Sequence, residues 1–239
     1  MKFFIISPGY GCERWLGVHL TSVMAQRISN YQHIIINSHS SKDIDIIAKK
    51  INSKNTTVLN CKNSKALESH IVAMNYAFDE LGMSEEDVVV HLDADDWFYH
   101  PSVLNCLEEA YAKGAWATYG NYISTDGEAS LCRPVFTKFD RSKDVFNWYF
   151  SHLRTFKAFF WKKIKQEDFY FGHKLFPSAA DVAICAPVLE MCPLDKLKFI
   201  ESVNVIYNRF TVLSDDKIDP YTQFLCTIEL SKRPSYKEL

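Results

Sequence analysis

The sequence predicts an α/β fold, with a parallel sheet covered by helices on both faces in the first half and a mixed, more antiparallel arrangement in the second. Three observations carry this expectation. Short apolar runs alternate with segments whose apolar residues recur at helical spacing. The runs are apolar at successive positions, as in strands buried on both faces. The chain's 239 residues, 47% hydrophobic and 14% aromatic, suit one α/β domain. A chain of that length buries roughly 70% of its unfolded surface and needs no staples to fold.

The elements follow in order. Phe3-Phe4-Ile5-Ile6 reads as a buried strand, followed by a Gly/Pro-rich turn and a helix with Leu16, Leu20, Val23 and Met24 inward. His33 to Ile36 is a second strand, and the polar run Asn37–Asp43 follows it. A weaker helix covers about Ile44 to Ile51, and Thr57-Val58-Leu59 is a third strand. The clearest helix carries Leu67, Ile71, Met74, Phe78 and Leu81 as one stripe, with Asn63 or Ser64 to cap it and Gly82 to end it. Val88 to Leu92 is a fourth strand, and the next helix has Pro101 in its first turn, Val103, Leu104, Leu107 and Tyr111 inward, and Gly114 at its end. Beyond a soft boundary at Gly114 the pattern changes. Strands are expected at Trp116–Tyr119, Asn121–Ser124, Arg154–Phe160 and Phe199–Tyr207, an Asp126-Gly127 turn after the second, and a helix from Ser178 to Cys185.

Composition excludes several classes. With 27 Lys and Arg against 29 Asp and Glu and no basic stripe, nucleic acid is not the expected partner. The seven cysteines are scattered without a CxxC pair, which argues against a zinc or dithiol site and for a reducing compartment. The apolar run at the N-terminus stops at Ser7-Pro8, too short for a signal peptide or membrane span, so a soluble cytoplasmic protein without a transmembrane segment is expected.

In parallel sheets ligands bind outside the carboxyl ends of the strands. Three loops converge there: Ser7–Arg14, Asn37–Lys42 and the acidic run Asp93-Ala94-Asp95-Asp96 after the fourth strand. Carboxylates this close repel one another and need free water or a cation. Hard oxygen ligands suit Mg²⁺ or Mn²⁺, which bind one or two carboxylates together with substrate phosphates. The alternative is a solvated acidic turn that caps the helix at Pro101. A phosphatase DxD would follow the first strand and carry Thr or Val where Trp97 stands.

These residues resemble the glycosyltransferase family 2 enzymes of GT-A fold. The family pattern P-T-Y-N-x4-L-x3-L-x-S-V-x2-Q is answered by Pro8-Gly9-Tyr10-Gly11, Leu16, Leu20, Ser22-Val23 and Gln26 in register. Its A-R-N is answered by Ala73-Met74-Asn75, its xDxDDW by Leu92 to Trp97, and its downstream E/D-D by Ala180-Asp181-Val182. The matches run from Phe3 to about Glu190. The family's V-D-D-G-S, whose carboxylate reads the base, is Ile36-Asn37-Ser38-His39-Ser40 here, so the acidic reader is missing.

The resemblance implies a single GT-A domain over 1–239, with a Rossmann-like βαβ half (1–114) for the nucleotide sugar and an acceptor half with a C-terminal extension (115–239). It implies an inverting, metal-dependent transfer from a nucleotide-diphosphate sugar, UDP-linked ahead of GDP-linked, to a glycan or glycoconjugate hydroxyl. Asp95 and His152 would hold Mn²⁺ or Mg²⁺, and Asp181 would be the base. Pro8, Gly9, Tyr10, Asn37, Ser38, Lys65, Asn75, Asp93, Ala94, Asp96 and Arg154 would bind the donor. Read from residues alone, Ser178-Ala-Ala-Asp181 is a capping box, His152 and Arg154 either serve the diphosphate or metal, as a cationic Arg suits phosphate, or form the outward face of a strand, and Trp97, Trp116, Trp148 and Trp161 are aromatic core rather than sugar platforms. His173 is a second candidate ligand. Two rivals stand beside this reading. A sugar-phosphate nucleotidyltransferase would need a G-x-G-T-R loop that Pro8 to Arg14 does not supply. A non-catalytic nucleotide- or glycan-binding module is favoured by the missing carboxylate.

Overall fold

The computed structural model describes residues 1–38, 42–51, 53–62, 64–130, 132–211 and 213–239. In chain order it contains β1 (Phe3–Gly9), α1 (Glu13–Met24), β2 (Tyr31–Asn37), α2 (Lys42–Ile51), β3 (Thr56–Asn60), α3 (Ala66–Asp79), β4 (Val88–His91), β5 (Trp97–Phe98), α4 (Val103–Ala112) and β6 (Ala117–Ser124). The second half continues with α5 (Arg141–Asp144), β7 (Arg154–Lys157), α6 (Phe159–Lys163), β8 (Tyr170–Phe171), β9 (Lys174–Leu175), α7 (Ala180–Met191), β10 (Leu197–Tyr207), α8 (Asp215–Ile218) and α9 (Pro220–Ser231).

One eight-stranded sheet runs β3-β2-β1-β4-β7-β6-β10-β5, and β8 and β9 form a separate hairpin. The first four strands are parallel. β7 is antiparallel to both β4 and β6, β10 runs parallel to β6, and β5 closes the edge antiparallel to β10. Alternation along β1 shows why its run is wholly apolar. Phe4 and Ile6 enter the core shared with Leu67 and Met74 of α3 and with α7, while Phe3 and Ile5 enter the core shared with Leu104 and Leu107 of α4. Each such side chain contributes about 1.5–3 kcal/mol through burial.

The differences from expectation are local and have physical causes. Met24 is exposed, because α1 ends before its stripe completes another turn. The strand expected through Phe160 stops at Lys157, and the chain turns into α6, where Phe160 and Trp161 are both buried. The two strands expected either side of Gly120 are one, β6. Lys65 occupies the cap position of α3 without a side-chain bond, because Ser64 is engaged with the hydroxyls of Ser38 and Ser69; Asn63 lies outside the described residues. Pro101 precedes α4 rather than opening it. Gly82 and Gly114, both at positive φ, follow α3 and α4 as their positions suggest.

The topology has one consequence for function. β1, β2 and β4 deliver their carboxyl ends to one edge, and antiparallel β7 begins at that same edge, with Arg154 paired to His91. A cationic residue is thereby set beside the acidic loop.

Candidate active site

A cavity of about 560 Å³ opens at this edge. Pro8, Gly9 and Tyr10 from β1, Ser38 after β2, Lys65 at the start of α3, Asp93 and Asp95 after β4, His152 and Arg154 at β7, and Asp181 in the first turn of α7 all line it. The turn after β1 is tight. A Cβ on Gly9 would meet Cys12 Sγ at 3.0 Å, and Gly11, at φ +61°, lies under Leu213. The structure brings these ten residues, far apart in sequence, to one cavity.

The acidic loop is held from several sides. Ala94 donates its N–H to the Pro8 carbonyl (3.0 Å), and Asp96 its N–H to the Asp93 carbonyl (2.9 Å). The Asp96 carbonyl accepts from His19 Nδ1 at 2.7 Å, and Asp96 Oδ1 accepts the Asn208 N–H at 2.7 Å. Asp96 Oδ2 is buried and has no hydrogen-bond partner; His152 Nε2 lies 3.8 Å from it. Ligand atoms of Asp93, Asp96 and His152 all fall within 4.8 Å of one another. His152 Nε2 accepts a hydrogen bond from Arg154 Nη2 (3.3 Å), so that nitrogen is unprotonated, and a cation there would take its lone pair in place of that hydrogen bond.

The electrostatics of the loop are those of crowded, buried carboxylates. Burial, with Asp93 beside it, pushes Asp95 up to about 7, and burial followed by the charges of Asp95 and Asp93 pushes Asp96 well above the usual carboxylate range. Burial drives His152, His70 and His91 down, so all three rings are neutral. Burial opposes the charge on Arg154, but Asp181, Cys185 and Asp93 outweigh it and raise its pKa. Arg154 Nη1 donates to Asp181 Oδ2 at 3.1 Å. The residues fit a hard divalent cation: an unpartnered buried carboxylate oxygen, a second carboxylate and a neutral imidazole face one point. The cluster includes His152 and Asp96 and does not include Asp95, the residue expected to bind the ion; Asp95 lines the same cavity and bonds to Thr211.

Other expectations are redistributed. Asn75 is exposed on α3 and does not line the cavity; it lies five residues beyond His70, about 7 Å further along the axis. Asn37 is buried below the cavity, where its Nδ2 bonds Asn60 Oδ1 at 2.8 Å. Ala94 is buried among Leu16, Leu20 and Ile35, and shapes the loop rather than the cavity. His39 and Ser40 lie outside the described residues. His173 is exposed in the β8–β9 turn, away from the cluster. Asp181 does not complete a capping box, because left-handed Ala179 (φ 57°) takes the cap position with no side-chain bond. Trp97 stacks on Trp15 (6.3 Å), Trp116 packs on Phe159 and Trp148 on Phe139, and Trp161 is buried; among the described residues none of the four lines the cavity.

Sequence reasoning missed His70, His91 and His19, and it missed Tyr207, Asn208, Thr211, Ile218, Asp219 and Gln223, which line the cavity. His70 and His91 were hidden inside runs that read as core. Asn208 and Thr211 follow β10 with no motif to mark them.

The parallel-to-mixed sheet, with the acidic loop in a cavity at its carboxyl edge, is the arrangement of a GT-A fold. The glycosyl transferase family 2 model matches residues 4–182, most of the chain, and the protein belongs to that family. Solved structures agree at the level of fold. TarS 1–349 of S. aureus in complex with UDP superposes with a TM-score of 0.68 at 14% identity, over 97% of this chain and 65% of that one. The same fragment with UDP-GlcNAc gives 0.64 at 15% identity, over 88% and 59%. The mannosyltransferase PcManGT from Pyrobaculum calidifontis, in complex with GDP-Man and Mn²⁺, gives 0.54 at 16% identity, over 83% and 56%. The chain thus spans less than two thirds of each of these structures. No curated protein matches the sequence. Among the described residues, no helix is long and apolar enough to cross a membrane.

Proposed function

We propose that this protein is an inverting, metal-dependent glycosyltransferase that moves a sugar from a nucleotide diphosphate to a glycan or glycoconjugate hydroxyl. The observation that carries the reading is the unpartnered, buried Asp96 Oδ2 facing Asp93 and His152 in the same cavity as the Arg154–Asp181 pair. Asp93, Asp96 and His152 would hold Mn²⁺ or Mg²⁺, with Asp95 beside them; the bound ion would neutralise charge developing on the diphosphate leaving group. Pro8, Gly9, Tyr10, Ser38 and Lys65 would receive the nucleotide. UDP is favoured over GDP, although Asn37 stands where an acidic base-reader is expected.

Asp181 would take the proton of the acceptor hydroxyl as its oxygen forms the new bond to the anomeric carbon and the bond to the diphosphate oxygen breaks. Arg154 would orient the Asp181 carboxylate through its hydrogen bond to Oδ2. The acceptor would then approach from the side of the second half (115–239), which supplies α7. Seven scattered thiols, three of them pushed up to about 12 by burial, suit a reducing cytoplasmic setting.

Calorimetric titration of UDP and GDP, with and without Mn²⁺, tests the site. One nucleotide binds only with metal, and Asp93→Asn abolishes that binding. Binding without any turnover of a nucleotide sugar would favour the non-catalytic module, and no binding at all would remove the reading.

A further inference from the structure

His70 stands in the second turn of α3 and His91 at the end of β4, with ring centroids 4.4 Å apart. Both are buried, at 4% and 3% exposure, and both line the cavity. Neither Nε2 has a hydrogen-bond partner. Two buried polar nitrogens without partners, side by side in one wall, are costly unless something in the cavity meets them.

The chemistry of that partner follows from one hydrogen bond. His70 Nδ1 lies 2.8 Å from the Ala66 carbonyl, and a carbonyl only accepts, so Nδ1 carries the proton. In the neutral ring Nε2 is then a bare lone pair, which can only accept. An ionised phosphate oxygen or a nucleobase carbonyl cannot satisfy it, whereas a hydroxyl or an amide N–H can. His70 lines the same cavity as Asp93 of the proposed metal cluster and the Arg154–Asp181 pair of the proposed base, and the charges of all three act on it.

From this geometry we infer that His70 and His91 read the transferred sugar, with His70 Nε2 accepting a hydrogen bond from a hydroxyl or acetamido N–H of the donor sugar. The inference rests on the glycosyltransferase reading, because the group lying between a metal-bound diphosphate and the base is the sugar in transit. His91, packed under His70 and against Phe156, supplies the second polar point and fixes the plane of the His70 ring.

The test compares a nucleoside diphosphate with its sugar conjugates by calorimetry in Mn²⁺: UDP and GDP against their glucose, galactose, mannose and N-acetylglucosamine derivatives. Asparagine at this position keeps a donor for the Ala66 carbonyl and lacks an atom at Nε2, while glutamine places a polar atom near Nε2. His70→Asn is expected to lose about tenfold in affinity for the preferred nucleotide sugar and nothing for the bare nucleotide, and His70→Gln to recover most of the loss. Equal weakening of nucleotide and nucleotide sugar would overturn the inference and make His70 structural or a metal ligand. It is overturned alone if the wild type binds a nucleotide but no sugar adds affinity, or if the sugar increment survives in His70→Asn. Failure of every nucleotide to bind the wild type would remove it together with the glycosyltransferase reading.

Discussion

Two histidine pairs lie on opposite faces of the sheet, both buried and both neutral. On the α1 face, His19 and His33 approach Nε2 to Nε2 at 3.1 Å; His19 Nδ1 donates to the Asp96 carbonyl, and His33 reaches Ser7 at 3.0 Å and Thr56 at 3.3 Å. On the α3 face, His70 and His91 face the cavity with unpartnered Nε2 atoms. Residue type and burial are the same, and the difference is whether the protein itself supplies the partner. The first pair closes its hydrogen bonds within the fold and holds the acidic loop. The second leaves its two Nε2 atoms without a partner in the cavity wall. Asp96 belongs to both worlds, its carbonyl and Oδ1 held by the fold and its Oδ2 left open.

The sharpest break of this comparison is at that open oxygen. Asp96→Asn keeps the bond to the Asn208 N–H and removes the charge. Turnover of a nucleotide sugar should fall by about 10²–10³-fold, while the thermal midpoint of the metal-free protein holds or rises, because burial and like charges already disfavour the ionised form. Steady-state rates and melting curves on the same preparation decide it, and a large drop in stability would move Asp96 to the structural side.

The closed pair should govern acid stability. Burial pushes His19 down to about 4 from 6.5, so the unfolded chain takes up the proton before the folded one does. Its contribution is therefore complete above about pH 6.5 and is lost as pH falls toward 4, on the order of 3 kcal/mol from this residue. Urea midpoints between pH 4.5 and 7.5 should show the slope in the wild type and a shallower one in His19→Asn. An unchanged slope would mean that another group carries it.

The smallest effect separates the pairs by stability alone. His33→Leu strands His19 Nε2 and the Ser7 hydroxyl and should cost about 1–3 kcal/mol in urea unfolding. The double replacement His70→Leu with His91→Phe takes only the His70 donor from the Ala66 carbonyl, since neither Nε2 has a protein partner, and should cost less than about 1 kcal/mol. Equal costs would erase the distinction between a closed and an open pair.

Half of the molecule was legible in sequence, for a physical reason. β1 to β4 and the helices between them are built from period-two and period-3.6 apolar patterns, and they carry their own turn glycines, so Phe3 to Gly114 could be read locally. The three loops at the carboxyl edge followed from parallel topology, and Asp93 and Asp96 followed with them. Past Gly114 the reading loosened. Nothing local marks β7 as the antiparallel strand between β4 and β6, yet this insertion brings His152 and Arg154 beside an acidic loop more than fifty residues earlier. Asn75 looked like a site residue because its neighbours matched a pattern, but helix rise carries it past the cavity.

By itself, the sequence determined the class of fold, the edge at which a ligand would sit and the acidic chemistry expected there, because apolar periodicity and like-charge repulsion act between neighbours in the chain. Only the tertiary structure decided which carboxylate faces the histidine, that Asp181 pairs with Arg154 instead of capping α7, and that one histidine pair is closed while the other is open. Those outcomes depend on which distant groups arrive within hydrogen-bond reach of a buried atom, and an unmet partner is visible only once every other partner has been placed.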